Sequence, residues 1–226
     1  AKCRDKIMQR FFDIIFSGLA LIALVPFLLP ILLILRFTGE GEVFYVQERV
    51  GRSGKLFGLL KFATMVKNSE NMGSGDITVK NDPRVLPFGN FLRKTKLNEL
   101  PQLINIFKGD ISVVGPRPMT PKIYQHYSDE AQTTLNTIRP GLTGIGSIVF
   151  RDEERYLDGR DDPFTFYKES IIPYKSDLEI WYVKNKSITL YFILILLTAI
   201  AVISPNTPKW IDKSLSNLPP KPDFID

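Results

Sequence analysis

Residues 11–37 read FFDIIFSGLALIALVPFLLPILLILRF, and this stretch decides the fold. Only Asp13 and Arg36 carry a charge within it. As a straight helix it would extend ~40 Å, more than the ~30 Å hydrocarbon core of a bilayer. Pro26 and Pro30 lie inside the stretch, and each proline lacks an N–H and clashes with the carbonyl four residues earlier. We therefore expect a membrane-seated helix that bends near its middle.

Basic residues flank this stretch on both sides, so both of its ends can face the cytoplasm. This favours a re-entrant hairpin, which enters one leaflet and returns, over a kinked single-pass helix. A cleaved signal peptide fits less well, because its apolar region is only ~7–15 residues long. The flanking cations are Lys2, Arg4, Lys6 and Arg10 before the stretch, and Arg49, Arg52 and Lys55 after it.

A second apolar run covers residues 188–203 and contains no charge. As a helix it would reach ~24 Å, slightly short for a perpendicular span. A buried core helix and a membrane-seated helix are both compatible with it. The stretch 204–226 that follows contains five prolines and is typical of an extended tail.

The composition limits the classes of protein. Of the 226 residues, 44% are apolar, which excludes wholesale disorder. The single cysteine, Cys3, excludes an internal disulfide and a multi-cysteine metal site. The net charge of +5 favours anionic partners such as phosphates, nucleotides or lipid headgroups. Nucleic acid is disfavoured, because the basic residues are interleaved with acidic ones.

The middle of the chain is patterned as a soluble domain of mixed α/β class. Val43–Val46 and Leu56–Phe62 are predicted strands on either side of a glycine-rich turn. A helix is predicted over Leu97–Lys108, ending at Gly109. Pro101 is tolerable only in its first turn, so the helix should start at residue 97 or 98. The apolar stripe of this helix is Leu97, Leu100, Ile104 and Phe107.

A helix start at this position would place Asn98 and Glu99 beside free backbone N–H groups, which attract phosphate. Arg117 lies between two prolines that restrict where its side chain can point. We expect several cations to converge there, although a solvated basic face explains the lysines about as well. The charge run 151–155 is interpreted as a solvated helix face rather than as a sugar-binding loop. The upstream cations are Arg84, Arg93, Lys94 and Lys96.

Five segments in a fixed order resemble the bacterial sugar transferases, the monotopic phosphoglycosyl transferases. The resemblance covers roughly residues 5 to 200. The segments are Gln9–Asp13; Gln47–Gly51; Lys61–Met65; Leu97–Leu103 with Lys108–Asp110 and Gly115–Pro118; and Arg139–Gly144.

This resemblance implies a membrane-bound enzyme that moves a phospho-sugar from a UDP-sugar onto undecaprenyl phosphate and releases UMP, with Mg²⁺. It also implies a mainly helical α/β fold at the cytoplasmic face of the bacterial inner membrane. The runner-up is a catalytically silent membrane scaffold that binds anionic lipid or a glycan-assembly partner. The expected division of the chain is a re-entrant hairpin (1–40), a cytoplasmic catalytic domain (41–187), a membrane-associated helix (188–203) and a tail (204–226).

The chain departs from the family pattern at Asn98, where the family has the aspartate that acts as nucleophile and Mg²⁺ ligand. A neutral carboxamide attacks phosphorus poorly and holds Mg²⁺ weakly. Three explanations of Asn98 are open. It is a deliberate substitution that traps bound substrate, or it belongs to a natural paralogue that binds without turnover, or it belongs to an enzyme that uses Glu99 or direct displacement. We expect an altered, impaired enzyme. Ala63 is a second departure, because the family usually has arginine there.

The remaining site residues follow from the resemblance. Glu99 would be the acid/base or supporting member of the catalytic dyad. Basic positions match those associated with the phosphates of the nucleotide sugar, and two further residues would line or support the site. Arg10, Asp13 and Pro26 belong to the hairpin. For Arg10 and Asp13, pairing with headgroup phosphate, pairing with the returning strand and simple interface anchoring are all open. The expected substrate-binding residues are Lys61, Arg93, Gln102, Arg117 and Arg139.

Overall fold

The computed structural model describes residues 2–72, 78, 81–203, 211 and 214–225. The first part of the predicted tail, from 204 to 210, therefore lies outside the described residues. The architecture is mainly helical, with two small sheets. This confirms the expected mixed α/β class with a helical majority.

One α-helix, α1, spans Lys2–Phe37, and both of its prolines lie inside it. By length and composition it is able to cross a membrane. No turn interrupts it, so the structure does not confirm the hairpin. Near its start, Gln9 and Asp13 contact the soluble domain, and near its end Leu35 is buried against the same domain. Between these contacts the helix exposes a continuous apolar surface, with Leu19, Ile22, Val25, Phe27 and Leu29 mostly in solvent.

The predicted hairpin of strands is confirmed. Strand β1 (Phe44–Val50) pairs antiparallel with β2 (Leu56–Phe62). The tight turn between them places Ser53 and Gly54 at positive φ. In this register Tyr45 lies opposite Lys61, so Tyr45, Gln47, Arg49 and Lys61 share one face of the ribbon.

The helix predicted over 97–108 starts later than expected. A 3₁₀ turn covers Leu97–Glu99, and helix α3 begins only at Gln102 and runs to Lys108. The reason is Pro101, whose ring would clash with the carbonyl of residue 97 in a continuous α-helix. Asn98 and Glu99 therefore lie on a short turn and not at an α-helix N-terminus. Gly109 ends the helix at φ 98°, as predicted.

The predicted apolar stripe is not the buried face of α3. Ile104 and Phe107 of the stripe are exposed, whereas Ile106, outside it, is fully buried. A Cβ added at Gly18 of α1 would lie 3.5 Å from the Phe107 ring, so α1 packs closely over this face. Phe107 of the stripe therefore faces α1 rather than the core of the domain.

The rest of the soluble domain wraps two parallel strands with short helices. The close pairing of these strands leaves no room for a side chain at Gly141, because a Cβ there would lie 2.1 Å from the backbone nitrogen of Gly115. A π-helical turn at Tyr167–Ile171 leads into the long helix α9. The elements are α2 (Pro87–Lys94), β3 (Ser112–Val114), α4 (Pro121–Tyr124), α5 (Asp129–Leu135), β4 (Gly141–Thr143), α6 (Ile145–Val149), α7 (Glu154–Leu157), α8 (Pro163–Phe166), α9 (Ile172–Asn185) and α10 (Ile188–Ile203).

The second apolar run forms α10, which packs into the main core along one face. Tyr191, Leu194 and Leu197 are buried there. Leu196 and Val202 on another face are 61% and 62% exposed. The helix is thus a core helix with an uncovered apolar side, and it belongs to the same core as the domain before it.

The interpretation of the C-terminus as an extended tail is wrong for residues 214–225. Leu215 and Ile225 are buried in the main core. The ring of Phe224 packs edge-on against Tyr156 at 5.9 Å and Phe166 at 5.4 Å. The prolines set the path of this segment, while its apolar side chains attach it to the domain.

Candidate active site

A cleft of about 1430 Å³ is lined by several elements together. Its walls come from the β1–β2 ribbon, the 3₁₀ turn, the loop after β3, the segment around α7, and α9. Five of the residues predicted for the site line it. They are Lys61, Arg93, Asn98, Glu99 and Arg117.

Glu99 and Arg117 form the central ion pair. Arg117 Nη2 donates to Glu99 Oε1 at 2.8 Å. Burial opposes ionisation of Glu99, but the charges of Arg117 and Lys61 outweigh it and lower its pKa to about 2. Glu99 is therefore a carboxylate at neutral pH and fixes the guanidinium of Arg117. This geometry favours the supporting role for Glu99 over proton transfer.

Lys61 is held by the ribbon that carries it. Its Nζ donates to Gln47 Oε1 at 3.0 Å. The same oxygen accepts from Arg49 Nη2, while Arg49 Nη1 donates to the carbonyl of Pro118 at 2.9 Å. Burial and the charge of Arg49 hold the pKa of Lys61 well below its usual range. An anion bound in the cleft would relieve this repulsion, so the arrangement favours phosphate.

Asn98 is buried, and its Oδ1 has no hydrogen-bond partner among the described residues. A buried acceptor without a donor is costly, and each such group calls for an explanation such as a functional role. Gln102, on the first turn of α3, is also buried, with its Nε2 unpartnered within the same part of the chain. Gln102 does not line the cleft and lies behind it.

Arg93 connects two sides of the cleft. Its Nη2 donates to Thr78 Oγ1 at 2.8 Å and lies 3.7 Å from Glu154 Oε1. Glu154 belongs to the charge run 151–155, for which a solvated helix face is predicted. Asp152, Glu154 and Arg155 are exposed, in agreement with that prediction, and Glu153 and Glu154 also line the cleft.

Arg139 lies away from the cleft, together with Arg10. Arg139 Nε donates to the carbonyl of Gly109 at 2.8 Å. Arg10 donates to the carbonyls of Ile106 and Phe107 at 2.6 and 2.8 Å. The two arginines therefore cap the C-terminus of α3, where cations complement the helix dipole. In this structure Arg139 is a packing residue of that helix end and does not line the substrate site.

Asp13 is buried inside the protein, so it does not face lipid headgroups. Its carboxylate accepts from Ser112 Oγ at 2.8 Å, from the Val113 N–H at 2.9 Å and from the Tyr191 hydroxyl at 2.9 Å. These bonds join α1, β3 and α10. Pro26, in contrast, lies on the exposed part of α1.

Sequence reasoning missed two charged residues of α9, Lys175 and Glu179. Lys175 Nζ donates to Glu153 Oε1 at 2.7 Å. Glu179 is 2% exposed and accepts from the Arg117 N–H at 3.4 Å, and burial raises its pKa to about 8. A side chain at Gly146 would overlap Glu179, since a Cβ there would lie 2.4 Å from Oε1. The spacing of four residues between Lys175 and Glu179, which puts both on one helix face, was the available signal.

A cation-lined cleft favours anionic ligands, and the uncovered apolar helices are compatible with a membrane-associated protein. The family model described as bacterial sugar transferase matches residues 4–205. The chain belongs to this family, which confirms the resemblance seen in the sequence.

Curated relatives carry consistent names. The exopolysaccharide production protein ExoY of Sinorhizobium fredii is 37% identical over 164 residues, 66% of this chain and 72% of that protein. The undecaprenyl-phosphate galactose phosphotransferase of Salmonella typhimurium is 38% identical over 200 residues, 82% of this chain and 38% of that protein. The UDP-glucose:undecaprenyl-phosphate glucose-1-phosphate transferase of Escherichia coli is 37% identical over 146 residues, 64% of this chain and 31% of that protein. The chain thus spans less than half of the latter two relatives.

Proposed function

We propose that this chain transfers a sugar phosphate from a UDP-sugar to undecaprenyl phosphate, with release of UMP. The observation that carries the proposal is the convergence of Lys61, Arg93 and Arg117 in one cleft that also reaches the exposed apolar side of α10. The names of the Salmonella and Escherichia relatives support both the lipid acceptor and the sugar-phosphate donor.

The cations of the cleft act by binding and orienting phosphoryl groups. Guanidinium groups hold two oxygens at once, and fixed positive charge stabilises the charge that spreads over a phosphoryl group in its transition state. Glu99 keeps Arg117 in place through the 2.8 Å ion pair, and Gln47 does the same for Lys61. These two pairs therefore organise the site before the substrate arrives.

Asn98 impairs the covalent step while leaving the binding groups intact. A carboxamide lacks the charge of the aspartate nucleophile that the family has there. In the proposed reaction, therefore, binding of the donor is retained and transfer is slow.

Mg²⁺ is the proposed metal, and the residues fit a weakly protein-held ion. No group of three or more His, Cys, Asp or Glu residues gathers in the described part of the chain. Asn98 offers an unpartnered buried oxygen, and Glu99 beside it offers a carboxylate. One or two protein oxygens suffice for Mg²⁺ that is bound mainly through substrate phosphates. When bound, the ion would neutralise charge on those phosphates.

We also propose that α1 is re-entrant and seats the cleft at the cytoplasmic face of the inner membrane. Both Asp13, near its start, and Leu35, near its end, contact the same domain, which supports placing both ends on one side of the bilayer. Labelling of Lys6→Cys and Lys55→Cys in a Cys3→Ser background tests this. Labelling of the two positions from opposite sides would contradict it.

The transfer itself is tested by release of UMP from a UDP-sugar with undecaprenyl phosphate, comparing the parent chain with Asn98→Asp and Asn98→Ala. We expect a large gain for the aspartate variant only. Absence of both UMP release and Mg²⁺-dependent UDP-sugar binding in the parent and the aspartate variant would refute the proposal. That outcome would leave the silent membrane scaffold as the function.

A further inference from the structure

The polar cleft continues into an apolar groove beside α3, β4 and α10. Glu99 of the ion pair and its chain neighbour Leu100 both line the cleft, and Leu100 packs on the small core of Leu35, Phe62 and Leu92. The groove is defined here by its lining. It consists of Leu100, Leu103, Val113, Leu142, Thr143, Ile195, Thr198, Ala199 and Val202.

One wall of the groove is a helical stripe on α10. Ile195, Thr198, Ala199 and Val202 follow the i, i+3, i+4, i+7 spacing of a single helix face. This stripe extends ~10 Å along the helix axis. It lies between the buried face of α10 and the uncovered face that carries Leu196.

The opposite wall is apolar and only half covered. Leu103, Val113 and Leu142 are partly buried and pack on the small core of Leu59 and its neighbours. Both walls of the groove therefore expose apolar surface. A further apolar chain bound between them would bury this surface.

The two hydroxyl groups in the groove are already satisfied. Thr143 Oγ1 and Thr198 Oγ1 lie 2.8 Å apart, and Thr198 also bonds the carbonyl of Leu194 at 2.7 Å. Neither hydroxyl therefore needs water as a partner. The far end of the groove opens at Val202, on the exposed apolar side of α10.

A ligand matched to both parts has a phosphate at one end and a flexible hydrocarbon chain at the other. We propose that the groove binds the first isoprene units of the polyprenyl phosphate acceptor, so that its phosphate reaches the cations of the cleft. This assignment rests on the proposed function. The polyprenyl chain is favoured over a phospholipid because one wall of the groove is a single helical stripe and the groove shares one cavity with the ion pair.

The test uses substitutions on α10 that place a bulky side chain in the groove. Ala199 is exposed and lines the groove, so Ala199→Phe should block it. Leu196→Phe is the control, because Leu196 is 61% exposed on the same helix and does not line the groove. It places an aromatic ring on α10 outside the groove. Val202→Phe, at the open end, is a second blocking variant should the first fail to fold.

The measurement is binding of a fluorescent polyprenyl phosphate in detergent micelles, which requires no turnover and is therefore independent of Asn98. Loss of contact with even two methylene-sized groups weakens binding about tenfold. We expect the Kd to rise at least about tenfold in the blocking variants and to change less than about twofold in Leu196→Phe. UDP-sugar binding should stay unchanged in all three.

Equal affinity in the parent and in both blocking variants would overturn the inference, even with UDP-sugar binding intact. Displacement of the probe by phosphatidic acid as effectively as by unlabelled polyprenyl phosphate would overturn the choice of a polyprenyl chain. If the parent binds the acceptor through the groove but binds no UDP-sugar, the proposed function fails while the groove assignment stands.

Discussion

Replacing Glu179 by glutamine removes a buried acid whose ionisation is coupled to folding. Burial raises its pKa from the ordinary 4.5 to about 8. Between these two pH values the folded chain holds a proton that the unfolded chain has released, so the free energy of unfolding falls as pH rises. The difference between the two pKa values, at ~1.4 kcal/mol for each pH unit, corresponds to a loss of about 5 kcal/mol between pH 4.5 and pH 8.

Urea unfolding in detergent, followed by tryptophan fluorescence from about pH 4.5 to pH 9, measures this slope. We expect it in the parent and in the control Glu130→Gln, whose glutamate side chain is 74% exposed. In Glu179→Gln the free energy of unfolding should fall by about 5 kcal/mol less over the same pH range. Above a pH of about 8 the new charge beside the Arg117 N–H should also weaken UDP-sugar binding in the parent and in Glu130→Gln, but not in Glu179→Gln. An unchanged slope in Glu179→Gln would refute the reasoning.

Three further predictions concern the ion pair, the α1 anchor and the C-terminal segment. Arg117→Ala should weaken UDP-sugar binding about 30-fold in calorimetry, because a charge-assisted hydrogen bond contributes ~2 kcal/mol; unchanged affinity would exclude Arg117 from the site. Asp13→Ala should lower the free energy of unfolding by about 3 kcal/mol or more, because three buried donors lose their acceptor; a loss below ~1 kcal/mol would contradict that accounting. Phe224→Ala should cost about 3 kcal/mol in the same unfolding assay, and an extended tail would show no effect.

The parts of the fold that follow from local pattern were predictable. The glycine-rich turn between two apolar segments indicated the β1–β2 ribbon, and Gly109 indicated the end of α3. The ordered segments indicated the family, and of the charged residues expected in the site all but Arg139 line the cleft. These features depend on spacing along the chain, which a sequence displays directly.

The errors arose where long-range packing decides the outcome. Arg139 belongs to a family segment, yet its contact is the carbonyl of Gly109 at the far end of α3. Asp13 looked like an interface charge, but it meets Ser112 and Tyr191, which are distant in sequence. Glu179 was not recognised because only its burial beside Arg117 makes it unusual.

The carboxylate of Asp13 has a consequence for protein engineering. The carboxylate joins α1, β3 and α10 by hydrogen bonds, so α1 is attached rigidly to the domain and not through a flexible linker. In the proposed membrane seating, the height of the cleft above the lipid is then set during folding. A chimera that imports a foreign anchor helix must therefore import matching partners for Ser112 and Tyr191, or its cleft will sit at the wrong depth.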